Sequence, residues 1–261
     1  MDVKFQTIEV AMDGPVATLW LSRAEVHNSL NAVMIREIIG FFLMAEDKSD
    51  LRAVIIRGRG KSFCSGADLQ WMKDAFDLDL NENLMESAEL SAMFKTIFES
   101  SKIVVAAIHG NVYGGGVGLA AVCDLAFCTS DTRFSLSETK IGMAAISITP
   151  YLLQKISVSD LKEMIFSART FYGLEAVKYG LINHTFLNQN ELDCHLNSLL
   201  TQILANGKQA LVASKKMINK ITMHDMHGVI ATIPELLARI RVSPEAQEGF
   251  NAFLEKRAPN W

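Results

Sequence analysis

The chain has 261 residues, of which 49% are hydrophobic and 21% are charged, and its formal net charge at pH 7 is −4. This length and apolar content suit one large folded domain, or one domain with a small appendage. Lysine and arginine residues are scattered through a slightly acidic chain, which argues against nucleic-acid binding. No apolar run reaches the roughly 18 residues of a membrane span, and the first residues lack the pattern of a secretion signal.

The cysteine pattern indicates the redox environment of the protein. Four cysteines occur, with neither the paired spacing of a disulfide framework nor that of metal ligands: Cys64, Cys123, Cys128 and Cys194. Such thiols are typical of proteins kept in a reducing compartment. The sequence therefore predicts a cytoplasmic protein that does not bind a membrane.

Strands alternate with helices over the first part of the chain, to about residue 145. Strands are predicted at 4–11, 15–21, 52–58, 102–110, 124–130 and 132–137, and helices at 30–48, 86–99 and 114–122. The first helix carries an apolar stripe made by Leu30, Met34, Ile38 and Phe42. The acidic stretch 73–88 is periodic only in part, and a mobile loop is predicted there.

From Pro150 onward the pattern is helical. Helices are predicted at 150–168, 173–182, 191–206, 208–220, 226–241 and 244–255. The change of pattern predicts an α/β core with parallel crossovers over residues 1–200 and a C-terminal helical region over 201–261. The helical region suits closure of a site or contact between subunits.

Three glycines, Gly114 to Gly116, stand between a buried strand and a short helix. Helix N-termini expose free amides with partial positive charge, and glycines let a ligand approach the backbone closely. The segment Ser65-Gly66-Ala67 repeats this design after another buried strand, and Asp68 suits the first helical turn that follows. Two such loops can direct two amides at one oxygen, forming an oxyanion hole for a carbonyl that becomes an enolate. The alternative is that the glycines merely relieve crowding at a turn.

A dinucleotide-binding site is a second alternative. Gly116, Gly118 and Ala121 fit the pattern G-x-G-x-x-A, and Glu138 lies 20 residues beyond Gly118. However, Asn111-Val112-Tyr113-Gly114 intervene between the preceding strand and the motif, and Asp124 begins a new apolar run after about two turns of helix. A dinucleotide fingerprint requires a tight strand-to-helix turn inside a βαβ unit, so this context disfavours it.

Three segments in order identify a family resemblance. They read SFCSGADLQWM at 62–72, IVVAAIHGNVYGGGVGLAAVCDLAFC at 103–128 and FSLSETKIGM at 134–143. They closely resemble the crotonase, or enoyl-CoA hydratase/isomerase, superfamily, and the resemblance extends over essentially the whole chain. It implies a spiral of ββα units with a C-terminal helical region that packs in trimers or pairs of trimers. It also implies an acyl-CoA substrate and no metal or redox cofactor, since coenzyme A is part of the substrate.

The resemblance also implies roles for individual residues. The oxyanion amides would come from Ala67 and Gly115, within the glycine run that includes Gly114. Coenzyme A would contact the loop Arg23–Val26 and the segment Ala67–Trp71, and Lys256 would help to bind its phosphates. The implied substrate- or CoA-binding positions are therefore Arg23, Val26, Ala67, Asp68, Leu69, Trp71, Gly114, Gly118 and Lys256.

The family's hydratases usually carry two glutamates, and this chain matches only one of them. The second matches Glu138, whereas the first falls at Gly118. A single carboxylate can hydrate a double bond if it takes a proton from water and returns it to Cα. It can equally serve an isomerase. A decarboxylase, a hydrolase and a non-catalytic acyl-CoA-binding subunit are further alternatives that the sequence leaves open. The segment 134–156 resembles bacterial methylglutaconyl-CoA hydratases of leucine breakdown, which favours hydration of an α,β-unsaturated acyl-CoA.

Overall fold

The computed structural model describes residues 4–223 and 244–260. The chain forms two compact units, Met1–Leu196 and Asn197–Trp261, and the division falls inside a helix. The helix predicted at 226–241 lies outside the described residues. The roles expected for residues 1–200 and 201–261 stay predictions.

Strands of the first unit form one large sheet and one small sheet. They are β1 (Ile8–Asp13), β2 (Val16–Leu21), β3 (Ala53–Gly58), β4 (Ile103–Ile108), β5 (Asn111–Tyr113), β6 (Leu125–Thr129), β7 (Arg133–Ser135), β8 (Phe171–Tyr172) and β9 (His184–Phe186). The large sheet has the order β1-β2-β3-β4-β6-β9, and the small sheet has the order β5-β7-β8. Hairpin β1–β2 is antiparallel, whereas every other neighbouring pair in the large sheet is parallel.

This topology brings three loops together. Strands β2, β3 and β4 are parallel neighbours, so the loops that follow them leave the sheet at the same edge. The loop after β3 carries Ala67, and the loop after β4 leads through β5 to the glycine run. Ligand sites of parallel α/β sheets commonly lie at this carboxyl edge.

Helices alternate with the strands along the chain and follow the last of them. They are α1 (Ala32–Glu46), α2 (Leu69–Asp74), α3 (Leu80–Glu99), α4 (Gly115–Val122), α5 (Thr149–Leu152), α6 (Val158–Ser167), α7 (Gly173–Lys178), α8 (Gln189–Ala205), α9 (Lys208–Met223) and α10 (Pro244–Glu255). In the second unit, Glu245 in the first turn of α10 accepts hydrogen bonds from the amides of Gln209 and Ala210 in α9. The α/β class predicted from the sequence is confirmed.

Helix α1 illustrates how local sequence determines an element. Its predicted stripe is buried, with Met34, Ile38 and Phe42 each at most 1% exposed. The side chain of Asn31 caps the helix by accepting a hydrogen bond from the Met34 amide at 2.9 Å. Full burial of each such apolar side chain contributes roughly 1.5–3 kcal/mol, so the stripe fixes α1 against the core.

Other segments differ from the prediction. The stretch 73–88, predicted to be a mobile loop, contains the start of α3, and Asp79 and Glu82 close a capping box there. The single helix predicted over 150–168 is two helices, α5 and α6. Ser157 caps the start of α6 and thereby separates it from α5. Strands β5, β8 and β9 were not predicted, since two or three residues are too short to display a strand period.

Among residues 4–223 and 244–260, no helix has the length and apolar content that crossing a membrane requires.

Candidate active site

The segment Gly66-Ala67-Asp68 forms a short parallel bridge with Leu30. The Leu30 amide donates to the Gly66 carbonyl oxygen at 2.7 Å, and the Leu30 carbonyl oxygen accepts from the Asp68 amide at 2.9 Å. Both backbone groups of Leu30 thus bond to the neighbours of Ala67. The Ala67 amide therefore faces away from Leu30, and no described residue accepts a hydrogen bond from it.

Asp68 caps the helix that follows this bridge. Its carboxylate accepts from the amides of Gln70 at 2.8 Å and Trp71 at 3.3 Å. Burial raises the pKa of Asp68, but hydrogen bonds from these amides and from Arg23 and Ser29 outweigh that effect and hold the pKa below its usual value. Asp68 is therefore an ionised structural cap for α2.

The glycine run is placed by the small sheet. Tyr113, at the end of β5, donates its amide to the Cys64 carbonyl oxygen at 3.0 Å, and the Gly114 amide donates to the Ser135 carbonyl oxygen at 3.0 Å. Gly114 has φ 49°, in the left-handed region that glycine tolerates best, and α4 begins directly after it. Gly115 is the first residue of α4, and within the described part of the chain its amide makes no hydrogen bond.

The two loops touch each other. A Cβ placed on Gly66 would lie 2.9 Å from the Tyr113 carbonyl oxygen, and one placed on Gly116 would lie 2.3 Å from the Cys64 carbonyl oxygen. The second distance is too short for any side chain, so Gly116 allows α4 to start against the other loop. Among the described residues, the amides of Ala67 and Gly115 are thus uncommitted donors on two adjacent loops.

Glu138 lies beside the glycine run. It begins a short 3₁₀ turn, Glu138–Ile141, shortly after β7. A Cβ placed on Gly114 would lie 3.1 Å from Glu138 Oε1. The other carboxyl oxygen, Oε2, is buried, and none of the described residues hydrogen bonds to it. The neighbour Thr139 donates its hydroxyl to the Ile165 carbonyl oxygen instead, so it does not orient the carboxyl group.

The environment of Glu138 changes its acidity. Burial raises its pKa above the ordinary value of 4.5, and a hydrogen bond with its own backbone offsets only part of that effect. A carboxyl group with a raised pKa exchanges protons more readily near neutral pH. A buried carboxyl oxygen without a partner is also costly unless a ligand or a proton satisfies it. Glu138 is therefore a candidate general acid and base.

The space next to Gly118 is filled by two apolar side chains. A Cβ placed on Gly118 would lie 2.2 Å from Ile148 Cγ2 and 3.0 Å from Phe94 Cε1. Both of these side chains are buried, at 2% and 0% exposure. The site therefore has no room for a second carboxylate at this position, and Ile148 and Phe94 occupy the space that such a side chain would need.

The residues expected to contact coenzyme A differ in their exposure and in their hydrogen-bond partners. Leu69 is 80% exposed and Val26 is 37% exposed. Trp71 is half-buried and donates its indole N–H to Glu86 Oε2 at 2.8 Å, joining α2 to α3. Arg23 is paired with Asp68. Lys256 is exposed and belongs to the second unit, so its expected contact with CoA phosphates stays a prediction.

Sequence reasoning missed Asn28, which joins three segments. It is fully buried with φ 56°, and its side-chain amide donates to the carbonyl oxygens of Arg59 at 2.8 Å and Ser62 at 2.7 Å. Its Oδ1 accepts from the Arg23 amide at 2.9 Å. The only local signal was the tolerance of asparagine for left-handed backbone.

Cys64 and His109 are structural. Burial raises the pKa of the Cys64 thiol to about 12, so it is not an activated nucleophile. His109 Nε2 hydrogen bonds with the Gly60 carbonyl oxygen at 2.9 Å. Both residues agree with the packing and hydrogen-bonding roles that their positions beside buried strands indicate.

The chain is similar to known proteins over most of its length. Residues 12–261 match the sequence model of the family described as enoyl-CoA hydratase/isomerase. The chain is 27% identical to a short-chain-enoyl-CoA hydratase of Clostridium acetobutylicum, over 98% of this chain and 97% of that protein. It is 32% identical to the mitochondrial Delta(3,5)-Delta(2,4)-dienoyl-CoA isomerase of Mus musculus, over 87% and 72% respectively.

A solved structure shares the fold. The crystal structure of an enoyl-CoA hydratase from Shewanella pealeana superposes with a TM-score of 0.93 at 28% identity, covering 99% of this chain and 97% of that one. The resemblance seen in the three sequence segments is thereby confirmed, and the fold is of the crotonase type. The protein is an enzyme with hydratase or isomerase activity on enoyl-CoA, and the chain belongs to the enoyl-CoA hydratase/isomerase family.

Proposed function

We propose that this enzyme adds water to the double bond of an α,β-unsaturated acyl-CoA and that Glu138 is its single proton-transfer group. The observation that supports this most directly is the buried Oε2 of Glu138, which lacks a hydrogen-bond partner among the described residues and lies beside the glycine run. The uncommitted amides of Ala67 and Gly115 supply two donors for the thioester oxygen. Each such donor typically contributes about 2.7–4 kcal/mol to transition-state stabilisation.

The chemistry follows from these three groups. The Glu138 carboxylate removes a proton from a water molecule, whose oxygen then bonds to Cβ of the substrate. The electron pair of the double bond moves onto the thioester, and the amides of Ala67 and Gly115 stabilise the resulting enolate oxygen. Glu138 then gives the same proton to Cα, and the thioester carbonyl re-forms. The net change is the addition of one water molecule, with oxygen and proton delivered to the same face.

We propose 3-methylglutaconyl-CoA as the first substrate to test. The segment 134–156, which contains Glu138, resembles bacterial methylglutaconyl-CoA hydratases, and the position of the usual first glutamate is Gly118.

Isomerisation of the double bond is the second candidate. Closure of position 118 by Ile148 and Phe94 favours it, because no second carboxylate is available there to hold the attacking water. A single carboxylate can move a proton between Cα and Cγ, and a relative of this chain is named a dienoyl-CoA isomerase. In this reading the same amides stabilise a dienolate.

A product assay separates these candidates. The purified enzyme is mixed in parallel with 3-methylglutaconyl-CoA, with crotonyl-CoA and with a 3-enoyl-CoA, and absorbance of the enoyl thioester is followed while mass spectrometry identifies the products. The proposal predicts a gain of one water, with the branched substrate reacting faster. A shifted double bond without added water would replace hydration by isomerisation, and loss of carbon dioxide would indicate decarboxylation.

A further inference from the structure

The guanidinium of Arg23 lies against the loop that carries Ala67. Its Nη1 lies 2.9 Å from Asp68 Oδ2 and donates to the Ser29 carbonyl oxygen at 2.7 Å. The side chains of Arg23 and Asp68 are only 17% and 11% exposed. Breaking a largely buried pair is costly, because the remaining charge stays desolvated. Arg23 is therefore committed to contacts inside the protein.

Asp68 extends this contact to a second loop. Its Oδ2 also accepts a hydrogen bond from the Ser29 hydroxyl at 3.1 Å, while Oδ1 caps α2. Arg23, Ser29 and Asp68, here named the Arg23 clamp, thus join the loop after β2 to the loop after β3. The clamp uses both the charge of Arg23 and its ability to donate in two directions.

The clamp flanks the backbone bridge that orients Ala67. Ser29 immediately precedes Leu30, and Asp68 immediately follows Ala67. The two hydrogen bonds between Leu30 and the neighbours of Ala67 determine where the Ala67 amide points. Their geometry depends on the distance between the two loops, and the contact of Ser29 and Arg23 with Asp68 holds that distance.

We infer that Arg23 is a positioning residue of the oxyanion hole: by holding Ser29 and Asp68 together, it keeps the Ala67 amide directed at the thioester oxygen. This inference rests on the role proposed above for the Ala67 amide. It replaces, for Arg23, the expected contact with coenzyme A.

The first test compares two substrates that differ only in the CoA nucleotide. The Arg23→Met variant is assayed with the enoyl-CoA that the wild type converts and with the same acyl group on pantetheine, which lacks the nucleotide phosphates. A positioning role predicts a fall in kcat on the order of tenfold to a hundredfold with both substrates, since small misplacements of catalytic groups carry such losses. A rise in KM for the CoA thioester alone, with kcat unchanged, would show phosphate binding and overturn the inference.

A second set of variants tests the clamp itself. The variants Arg23→Met and Asp68→Asn should be non-additive, because each removes the same interaction. Arg23→Lys should restore part of kcat, since an ammonium keeps the charge and several donors but is carried on a shorter side chain. Fully additive losses, or an Arg23→Lys variant as inactive as Arg23→Met, would contradict the clamp.

Arg57 provides a matched control. Its side chain is 18% exposed and pairs with Asp193, close to the burial of Arg23, but it lies on β3 outside the two loops. Arg57→Met should keep kcat, and an equal loss there would mean that general destabilisation explains the Arg23 result.

A measurement without turnover separates this inference from the proposed function. Amide hydrogen exchange over residues 66–72 of the unliganded enzyme should be faster in Arg23→Met than in Arg57→Met. Equal exchange in the two variants would overturn the clamp whatever reaction the wild type catalyses. A wild type that hydrates no enoyl-CoA would instead overturn the proposed function and leave the exchange result to decide the role of Arg23.

Discussion

Glu138 combines two properties that rarely occur together in a structural residue. One of its carboxyl oxygens is buried without a hydrogen-bond partner among the described residues, and its pKa is raised by burial. Such a group decreases the stability of the folded protein at neutral pH, so its presence beside the glycine run favours a catalytic role. The sequence motif identified Glu138, but its burial depends on packing that no local pattern encodes.

The variant Glu138→Gln should change stability in a pH-dependent way. In the folded protein the pKa of Glu138 lies above its ordinary value of 4.5. At pH values between 4.5 and this raised pKa, the folded protein binds more protons than the unfolded chain. The wild-type free energy of unfolding therefore falls as pH rises through this window. Glutamine does not ionise, so the variant should gain stability relative to wild type as pH rises. Urea denaturation at a series of pH values tests this, and a constant difference at every pH would contradict it.

Helix α4 is the element on which the site depends. It is only eight residues long, and its contacts hold it at both ends. At its start Gly116 lies against the Cys64 carbonyl oxygen, and in its middle Gly118 lies against Ile148. At its end the Lys155 ammonium donates to the carbonyl oxygens of Ala120 at 3.3 Å and Cys123 at 2.7 Å.

Two helical glycines should respond in opposite ways to alanine. Gly118→Ala should lower the free energy of unfolding by about 1–3 kcal/mol, the usual cost of overpacking, because its Cβ would overlap Ile148 Cγ2. Gly40→Ala in α1 is the matched control, since a Cβ there meets no atom within 4 Å, and it should stabilise by about 0.4–1 kcal/mol.

Denaturation curves of both glycine variants provide the measurement. A double-mutant cycle with Ile148→Ala should show coupling between positions 118 and 148, as expected for residues in contact. If Gly118→Ala were as stable as wild type, the packing described at position 118 would be wrong.

Lys155→Met should lower both stability and kcat. It leaves the buried end of α4 without its donor, which typically costs about 1–3 kcal/mol, and it loosens the helix that presents the Gly115 amide. The matched control is Lys102→Met: Lys102 is 2% exposed and donates to the Lys48 carbonyl oxygen after α1, away from the glycine run. The Lys102→Met variant should lose stability and retain its kcat. Equal kcat losses in the two variants would contradict a specific role for Lys155.

For the molecule as a whole, local pattern predicted more of the fold than of the site. The α1 stripe and the order of strands and helices follow from periodicity along the chain. The pairing of Arg23 with Asp68 and the contact of Gly118 with Ile148 join residues far apart in sequence, so periodicity does not reveal them. The capping box at Asp79 was readable from the sequence, yet the partial periodicity of 73–88 concealed it.

Association into trimers or pairs of trimers is the prediction that belongs to the whole molecule. The family resemblance implies it, and large apolar side chains of the first unit stand 70–84% exposed, among them Leu80, Ile146, Phe166 and Leu174. Exposed apolar groups of this kind favour association. Light scattering should give a mass of three or six times the 28.8 kDa chain. A monomer over a wide concentration range would contradict this prediction.

In the proposed reaction Glu138 alone transfers the proton. The decisive measurement is kcat of Glu138→Gln on the enoyl-CoA that the wild type hydrates, with binding of a saturated acyl-CoA measured alongside. The variant should lose about 10²–10⁴-fold in kcat and retain binding, because glutamine keeps the shape of the side chain and removes its basicity. If it hydrated the substrate at the wild-type rate, Glu138 would not be the proton-transfer group.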